Sequence, residues 1–368
     1  MSETREMIEA KGLDCAIATS QNNVYYASGS NIMTISMLKR LAAIFIPVDN
    51  DPVFGVHANE EVTARESTWI DDIRVYEGGE WEPLKSMDFV ANMIREKGLD
   101  DAKIGVELFD IPALCMDYLR KLLPDAEFID CQDIFDEMRS IKSPEEIKHL
   151  SDANMATAKA ITVAYEMARP GDTERDVAQN MMELVVEYGA DSVAFMTMGA
   201  GPNIWETHHI PGDYVLKEGD MIHTDFGGNF DGYYSDISRM AVVGEPIEEQ
   251  LRAYEMAVEV ERATAEALVP RVKVIDVHNA VKDLYESKGF KYQRAFIGHS
   301  IGIGLHEYPF LGPAHGDWEI KEGMFFQVEP GCTVGKAKIH TEDAFKITDR
   351  GAQNVSEYRD VSDLLKIR

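Results

Sequence analysis

Cysteine is scarce in this chain of 368 residues, and the few cysteines are scattered along it. No two of them form a CxxC pair or a dense group; they are Cys15, Cys115, Cys131 and Cys332. Structural disulfide frameworks and cysteine zinc sites need closely organised cysteines, so this spacing argues against both.

Long apolar runs and glycine-rich phosphate loops are also absent. The longest apolar stretch, residues 41–48, falls far short of the roughly 20 residues that a membrane-spanning helix needs. Neither a GxGxxG nor a GxxxxGKS loop occurs, so the usual phosphate-binding motifs are missing. The first 20 residues contain no basic segment followed by an apolar one, and we therefore expect a cytoplasmic protein without a secretory signal.

Basic residues are outnumbered, with 36 Lys and Arg against 65 Asp and Glu, which gives a formal net charge of −29 at pH 7. Such a field repels phosphate groups, so we expect neither nucleic acid nor an anionic membrane as a partner. The hydrophobic fraction of 45% is typical of a globular protein. The length of the chain predicts two domains, which we place at residues 1–135 and 136–368.

The first predicted domain alternates strand-like and helix-like segments, which is typical of an α/β module. Its predicted strands are Cys15–Ala18, 41–48 and Ile104–Val106. Its predicted helices are Asp88–Lys97 and Pro112–Leu123. A long helix is predicted to follow the boundary, because Ser143 and Glu146 form a capping box around Pro144 at the first helical position.

The second predicted domain becomes rich in strands after Gly219, with helices at 248–267 and 274–288. We interpret it as an α+β domain with a mostly antiparallel sheet. The predicted strands are 221–225, 232–243, 294–297, 324–329 and 339–347. Asp225 and Asp236 are eleven residues apart, and a turn in the glycine-rich stretch 227–232 would place them nearly opposite each other on paired strands.

Five acidic or histidine residues lie within or at the end of apolar, strand-like runs, where charged groups are rare unless they are paired or bind a metal. They are Asp225, Asp236, His299, Glu329 and Glu342. Taken singly, each is more often a capping or salt-bridging group, but the five in this order are typical of a metal site. Two divalent cations would neutralise the four carboxylates, which could not all stay ionised alone.

A ligand set of one imidazole and several carboxylates favours Mn²⁺, Co²⁺, Fe²⁺ or Zn²⁺. A pair of such ions lowers the pKa of a bridging water from about 15.7 toward 7 and polarises a carbonyl group. The pattern therefore predicts hydrolytic chemistry.

Four segments resemble, in order, the motifs of the pita-bread metallopeptidases, the family of methionine aminopeptidase, aminopeptidase P, prolidase and the non-peptidase creatinase. They are DFG-x8-D with ISR, GHSIG-x3-HE, VEPG and TED. The segments around Gly12 and Asn23–Gly29 resemble the N-terminal domain of the creatinase, aminopeptidase P and prolidase branch, which methionine aminopeptidases lack. The resemblance implies an α+β pita-bread catalytic domain preceded by a creatinase/prolidase-like α/β domain, and usually a homodimer.

The same resemblance implies a role for each of the five ligands. Asp225 would hold one metal and His299 with Glu329 the other, while Asp236 and Glu342 would bridge the two ions. Glu329 is also the implied general base, which takes a proton from the bridging hydroxide.

Histidines complete the expected site. His306 resembles the histidine that contacts the scissile carbonyl region, and His208, twelve residues before Asp220, matches the substrate histidine of the family better than its neighbour His209. His223 shares a strand face with Asp225 and is either a support for the site or a structural residue. Surface or structural roles are expected for His57, His149, His278 and His315.

Two departures concern the substrate. Phe310 and His340 stand where relatives usually carry arginines, and the loss of cationic anchors weakens binding of a free carboxylate. Trp205 and Tyr308 would either wall an apolar pocket or pack structurally, the second being favoured, and Cys332 is interpreted as a packing residue rather than a nucleophile.

Three functions stay open at this stage. The first is a metallopeptidase with two divalent ions (Mn²⁺, Co²⁺ or Zn²⁺) that prefers Xaa-Pro bonds, acting as an Xaa-Pro dipeptidase or like aminopeptidase P. The second is a small-molecule C–N hydrolase or lyase resembling creatinase, and the third is a binding module without activity. The intact ligands favour the first, and the substrate assignment depends on the resemblance.

Overall fold

The computed structural model describes residues 2–78, 82–292, 294–335 and 337–368, which divide into two compact units, Met1–Met138 and Arg139–Arg368. The division lies within a helix at Gln132–Ser140, and the boundary placed between residues 135 and 136 falls within the same helix. None of the helices in these described ranges combines the length and hydropathy needed to cross a bilayer.

The first unit contains a six-stranded mixed sheet with strand order β4-β3-β2-β1-β5-β6. The central strand β1 pairs antiparallel with β2 and parallel with β5. Its strands are β1 Cys15–Ala18, β2 Ala43–Pro47, β3 Val53–His57, β4 Asp72–Tyr76, β5 Lys103–Val106 and β6 Glu127–Asp130. Its helices are α1 Ser2–Ala10, α2 Gln21–Ser28, α3 Thr34–Leu38, α4 Glu61–Ser67, α5 Pro83–Glu96, α6 Ala113–Leu122 and α7 Gln132–Ser140.

Alternation along β1 explains why this sheet is covered on both faces. Ala16 and Ala18 pack into one hydrophobic cluster with Ile8 of α1, whereas Cys15 and Ile17 pack into the opposite cluster beneath α5 and α6. A sheet buried on both faces needs apolar residues at every strand position, which the CAIA sequence of β1 supplies. The predicted α/β architecture is confirmed.

The second unit contains two larger sheets, ordered β18-β10-β8-β7 and β12-β11-β13-β16-β17, and a hairpin of β14 and β15. Its strands are β7 Ser192–Ala200, β8 Met221–Phe230, β9 Tyr233–Tyr234, β10 Ile237–Val243, β11 Gly298–Ser300, β12 Glu307–Phe310, β13 Phe325–Val328, β14 Gly331–Val334, β15 Ala337–His340, β16 Asp343–Thr348, β17 Gly351–Asn354 and β18 Leu365–Ile367. Its helices are α8 Pro144–Met167, α9 Glu174–Glu187, α10 Glu248–Ala267 and α11 Val274–Ser287.

Each helix pair packs against residues of both large sheets. The cluster with α8 and α9 contains Phe226 of β8 and Phe325 of β13, and the cluster with α10 and α11 contains Met240 of β10 and Phe326 of β13. The capping box at the start of α8 is present, with Ser143 Oγ 3.1 Å from the Glu146 backbone nitrogen. Apart from the parallel pair of β10 and β18, the described strand pairs in this unit are antiparallel, as predicted for an α+β domain.

Several element predictions in this unit are wrong. Strand β7 is missing from the sequence-based assignment, and the strand predicted at 294–297 begins only at Gly298. The strand predicted at 339–347 is interrupted at Thr341–Glu342, because β15 and β16 belong to different sheets. The glycine-rich stretch 227–232 is mostly strand, and the chain turns at Asp231–Gly232, which have φ angles of 48° and 81°. Two successive positive φ values are typical of the tight turn that suits a hairpin.

Candidate functional site

A cavity of about 650 Å³ opens in the second unit, and its lining includes ten of the residues singled out in the sequence. The structure brings together Asp225, Asp236, His299, Glu329, Glu342, His208 and His306 in its lining. Two groups of side chains lie close enough to hold a metal ion: the first is Asp225, Asp236 and Glu342, and the second is Asp236, His299 and His306.

Two aspartates reach the cavity from the hairpin of β8 and β10. Asp225 pairs with Ser238 in the register of these strands, and Asp236 lies just before β10. The two carboxylates are therefore diagonal neighbours on one face rather than directly opposite residues, because the turn lies at Asp231–Gly232 and not in the middle of the glycine-rich stretch.

The other ligand candidates come from the second sheet. His299 is on β11, and Glu329 follows β13, with its backbone nitrogen 3.0 Å from the carbonyl oxygen of Ile297. Glu342 lies in the break between β15 and β16, where its backbone nitrogen donates to the Ser238 carbonyl at 3.1 Å. This bridge brings a carboxylate of one sheet beside the carboxylates of the other.

The position of Glu342 is reinforced by Arg239 of the ISR motif. The guanidinium of Arg239 donates to the carbonyl oxygen of Glu342 at 2.6 Å and to Oδ1 of Asp343 at 2.6 Å. Arg239 and Asp343 are both buried, and their ion pair holds the ISR motif against the TED motif.

Carboxylates surround one nitrogen of His299. Its Nε2 lies 3.7 Å from Asp236 Oδ2, 3.7 Å from Glu342 Oε1 and 4.0 Å from Glu329 Oε1. The other nitrogen, Nδ1, lies 2.9 Å from the Ser300 carbonyl, which can only accept, so Nδ1 carries the hydrogen and Nε2 presents a lone pair to the cavity. Burial lowers the pKa of His299 to about 4, which keeps the imidazole neutral and suited to ligate a metal.

Several of these carboxylate oxygens are buried without a hydrogen-bond donor among the described residues. They are Asp225 Oδ1, Asp236 Oδ1 and Glu342 Oε1. Burial raises the pKa of Asp225, and burial together with neighbouring carboxylates raises the pKa of Asp236 and Glu342 well above the ordinary values. Unpaired buried carboxylates are costly, and divalent cations supply the missing charge and coordination, so these residues fit a metal site.

Glu329 has a different environment from the other three acids. Although burial raises its pKa, a hydrogen bond from His340 and the charge of Arg294 lower it to about 2, so the carboxylate is ionised. His340 Nε2 lies 3.1 Å from Glu329 Oε2, and Arg294 forms a short ion pair with the same oxygen. Arg294 was not anticipated, since a single arginine near an apolar run gives no sequence signal for an active-site role.

His223 stands behind His340. Its Nε2 lies 3.1 Å from His340 Nδ1 and 3.0 Å from Ser238 Oγ, and the ring is buried. Burial lowers the pKa of His223 well below the usual range. His223 therefore both lines the cavity and supports the histidine that contacts Glu329.

His208 and His306 present imidazoles to the cavity that form no hydrogen bond with another described residue. The ring of His306 lies 4.0 Å from that of His299, and the ring of Phe310 lies 5.7 Å from His306 and 6.0 Å from His299. By contrast, Nε2 of His209 lies 3.1 Å from Oε2 of Glu174, and its Nδ1 lies 2.9 Å from Oε2 of Glu206.

The remaining candidates lie outside the described lining of the cavity or are inert. Trp205 and Tyr308 are exposed and do not line it; its aromatic residues are Tyr285, Phe290, Tyr292 and Phe296. Cys332 does line it, but burial raises the pKa of its thiol to about 11, consistent with a packing role. The described lining contains none of His57, His149, His278 and His315.

Comparison with known proteins gives a consistent picture for both units. Residues 148–349 match the family described as metallopeptidase family M24, and residues 1–141 match the creatinase/prolidase N-terminal domain. A probable dipeptidase PepE of Mycobacterium tuberculosis is 34% identical over 360 residues, which are 94% of this chain and 90% of that protein. An Xaa-Pro dipeptidase of Lactobacillus helveticus is 29% identical, over 90% of this chain and 92% of that protein. The crystal structure of dipeptidase PepE from Mycobacterium ulcerans superposes with a TM-score of 0.87 at 26% identity, covering 100% of this chain and 96% of that one.

Proposed function

This chain belongs to metallopeptidase family M24, and we propose that it uses two divalent ions to hydrolyse peptides at an Xaa-Pro bond near the N-terminus. The observation that carries the proposal is that Asp236 and Glu342, buried carboxylates that each have an oxygen without a described donor, lie 3.7 Å from Nε2 of His299. The name of the Lactobacillus helveticus relative, similar over nine-tenths of this chain, supports the preference for Xaa-Pro.

Five side chains are proposed to hold the ions. They are Asp225, Asp236, His299, Glu329 and Glu342. The four carboxylates balance the charge of two divalent cations, and a mostly oxygen donor set with one imidazole suits Mn²⁺, Co²⁺ or Zn²⁺. When bound, such ions act as Lewis acids on the scissile carbonyl and generate a nucleophile from water at neutral pH.

The remaining steps are proposed for side chains of the protein. Glu329 is the proton acceptor, since it is ionised and held in place from one side by His340 and Arg294. His306 donates a hydrogen bond toward the scissile carbonyl and His208 contacts the substrate, because both imidazoles line the cavity without a hydrogen bond to another described residue. The homodimer stays a prediction from the family resemblance, and manganese as the native metal and a cytoplasmic location stay predictions from the sequence.

The experiment is hydrolysis of a peptide panel by metal-depleted protein that has been reloaded with Mn²⁺, Co²⁺ or Zn²⁺. The panel contains Xaa-Pro dipeptides, Xaa-Pro-Yaa tripeptides and non-proline dipeptides, with metal content measured in parallel. We expect two ions per chain and preferential cleavage before proline. Glu329→Gln should abolish cleavage, whereas Glu322→Gln, at an exposed residue outside the cavity, should not change it.

The possible outcomes separate the alternatives. Two bound ions without any peptide cleavage would refute the peptidase proposal and redirect the search to small C–N substrates such as amidines. Absence of metal binding would refute the metallopeptidase proposal.

A further inference from the structure

The cavity has walls of opposite charge in a chain whose net charge is −29. One side, which we term the acidic floor, consists of Asp225, Asp236, Glu329 and Glu342. The other, which we term the basic wall, consists of Lys291, Arg294 and Lys338. A positive surface beside a cluster of carboxylates suits a substrate that carries both a free amino group and a free carboxylate.

The three cations of the basic wall differ in their partners. Arg294 is already paired with Glu329, and Lys291 is exposed at the rim. Lys338 is half-buried, and its Nζ lies 3.5 Å from the carbonyl oxygen of Trp205 and 3.4 Å from Oγ1 of Thr207. No carboxylate of the described residues forms an ion pair with it.

The described partners of Lys338 are two uncharged oxygens, and a second cation lies nearby. Burial, followed by the positive charge of Arg294, lowers the pKa of its ammonium group. The oxygens of Trp205 and Thr207 accept hydrogen bonds from Lys338 but carry no full negative charge. An ammonium group has three donors, so one remains for an anionic partner.

Strand β15 places Lys338 on the same strand face as the residue that contacts Glu329. Lys338 and His340 lie two residues apart on β15, so their side chains leave the same face about 6.6 Å apart. His340 contacts Glu329, the proposed proton acceptor, and Lys338 and Glu329 line the same cavity. One residue of extended peptide spans about 3.5 Å, so the terminal carboxylate of a dipeptide whose scissile bond lies beside Glu329 stays within the cavity that Lys338 lines.

We propose that Lys338 binds the C-terminal carboxylate of a dipeptide substrate and thereby selects dipeptides over longer peptides. This inference depends on the proposed peptidase function and adds to it the residue that sets substrate length. It also explains how a carboxylate could be bound without an arginine at position 310 or 340, since Lys338 supplies a positive charge two residues before His340 on β15.

The test compares a dipeptide acid with its amide. The Mn²⁺-loaded protein is assayed on Ala-Pro and on Ala-Pro amide, which lacks the anionic carboxylate. We expect Lys338→Met to lower kcat/KM for Ala-Pro by about 10-fold to 100-fold, mainly through KM, and to change the amide little. Lys338→Arg should retain part of the preference for the acid. Lys346→Met, at a half-buried lysine on β16 outside the cavity, is the matched control.

Equal losses on the acid and the amide, or no loss on either, would overturn the assignment of Lys338. A selective loss in Lys291→Met instead would move the anchor to that residue and also overturn it. If the wild-type protein cleaves no peptide, the proposed function fails. In that case, calorimetric binding of Ala-Pro and its amide to wild-type and Lys338→Met protein still decides whether Lys338 recognises the carboxylate.

Discussion

His340 donates a hydrogen bond from Nε2 to Oε2 of Glu329 over 3.1 Å, since an ionised carboxylate can only accept. The opposite nitrogen of His340 faces His223, which in turn contacts Ser238. Glu329 is thus held by a chain of three polar side chains that leads from His340 on β15 to His223 on β8 and Ser238 on β10. Groups of this kind orient metal ligands, and their loss typically affects both metal affinity and activity.

Replacement of His340 by asparagine should therefore lower activity or metal affinity by roughly 10-fold to 100-fold without unfolding the protein. The amide cannot reach both Glu329 and His223, so the carboxylate loses its orientation. Metal titration and steady-state kinetics on one peptide measure the effect, with His278→Asn, at a buried histidine outside the cavity, as control. Unchanged values for both quantities would contradict the role of His340.

Asp236→Asn should have opposite effects on the metal-free and the metal-loaded protein. Without metal it removes a buried carboxylate oxygen that has no described donor, and we expect a gain of about 1–3 kcal/mol in the free energy of unfolding. With metal it removes a ligand, and we expect the bound ions to fall below two and activity to fall more than about 100-fold. Thermal melts with and without chelator measure the contrast, and destabilisation in both states would argue against the metal site.

Metal binding should release protons. The pKa values of Asp236 and Glu342 are raised in the metal-free protein, chiefly by burial, so protons remain on these groups above the ordinary carboxyl pKa near 4. Metal affinity should accordingly rise with pH. Protonation stabilises these groups in the folded state, and that stabilisation is lost as pH rises through their folded pKa values.

Calorimetric titration of Mn²⁺ at pH 6, in buffers of different ionisation enthalpy, counts the released protons. The Asp236→Asn variant should release fewer protons than wild type. A count of zero in the wild-type protein would show that the carboxylates are already ionised without metal.

A buried ion cluster supports the loop that carries His306. Glu307 pairs with Arg139 at 2.9 Å and with Lys142 at 3.1 Å, and accepts a hydrogen bond from the Gly304 backbone at 2.8 Å. Although burial raises its pKa, these two cations lower it below the usual value. We expect Glu307→Gln to lower the free energy of unfolding by about 3–5 kcal/mol, because two buried cations lose the carboxylate that they share.

The comparison for this cluster is the exposed pair of Lys148 and Asp152, 2.6 Å apart. Lys148→Met should change the free energy of unfolding by less than about 1 kcal/mol. Chemical denaturation of both variants measures the difference, and similar small values for the two would contradict a stabilising role for the Glu307 cluster.

The sequence predicted the architecture and singled out residues that line one cavity, but it did not predict how these residues lie relative to one another. Motifs singled out Asp225 and Glu342 because carboxylates in apolar runs are unusual in themselves. The diagonal pairing of Asp225 and Asp236 could not be predicted, since it depends on which two residues of a glycine-rich stretch take positive φ angles. The strand break at Glu342 follows from a bridge to Ser238, which lies more than a hundred positions earlier in the sequence.

Arg294 and Lys338 illustrate a second limit. Each is one basic residue near a strand, and nothing local distinguishes it from a solvent-exposed lysine or arginine. Lys338 reaches the cavity because β15 packs against β8 and β10, and Arg294 reaches it beside Gly331 of β14. Strand β7 was missed because its residues alternate poorly between apolar and polar, since most of them are only partly buried.

The bridge between Ser238 and Glu342 also bears on motion. The proposed ligands come from two sheets, which both contribute residues to the same two hydrophobic clusters. Ions held by Asp225 and Asp236 on one side and by His299 and Glu329 on the other would add a crosslink between the two sheets. Loading the metal would then oppose separation of the sheets, so that amide exchange in β8 and in β13 slows together.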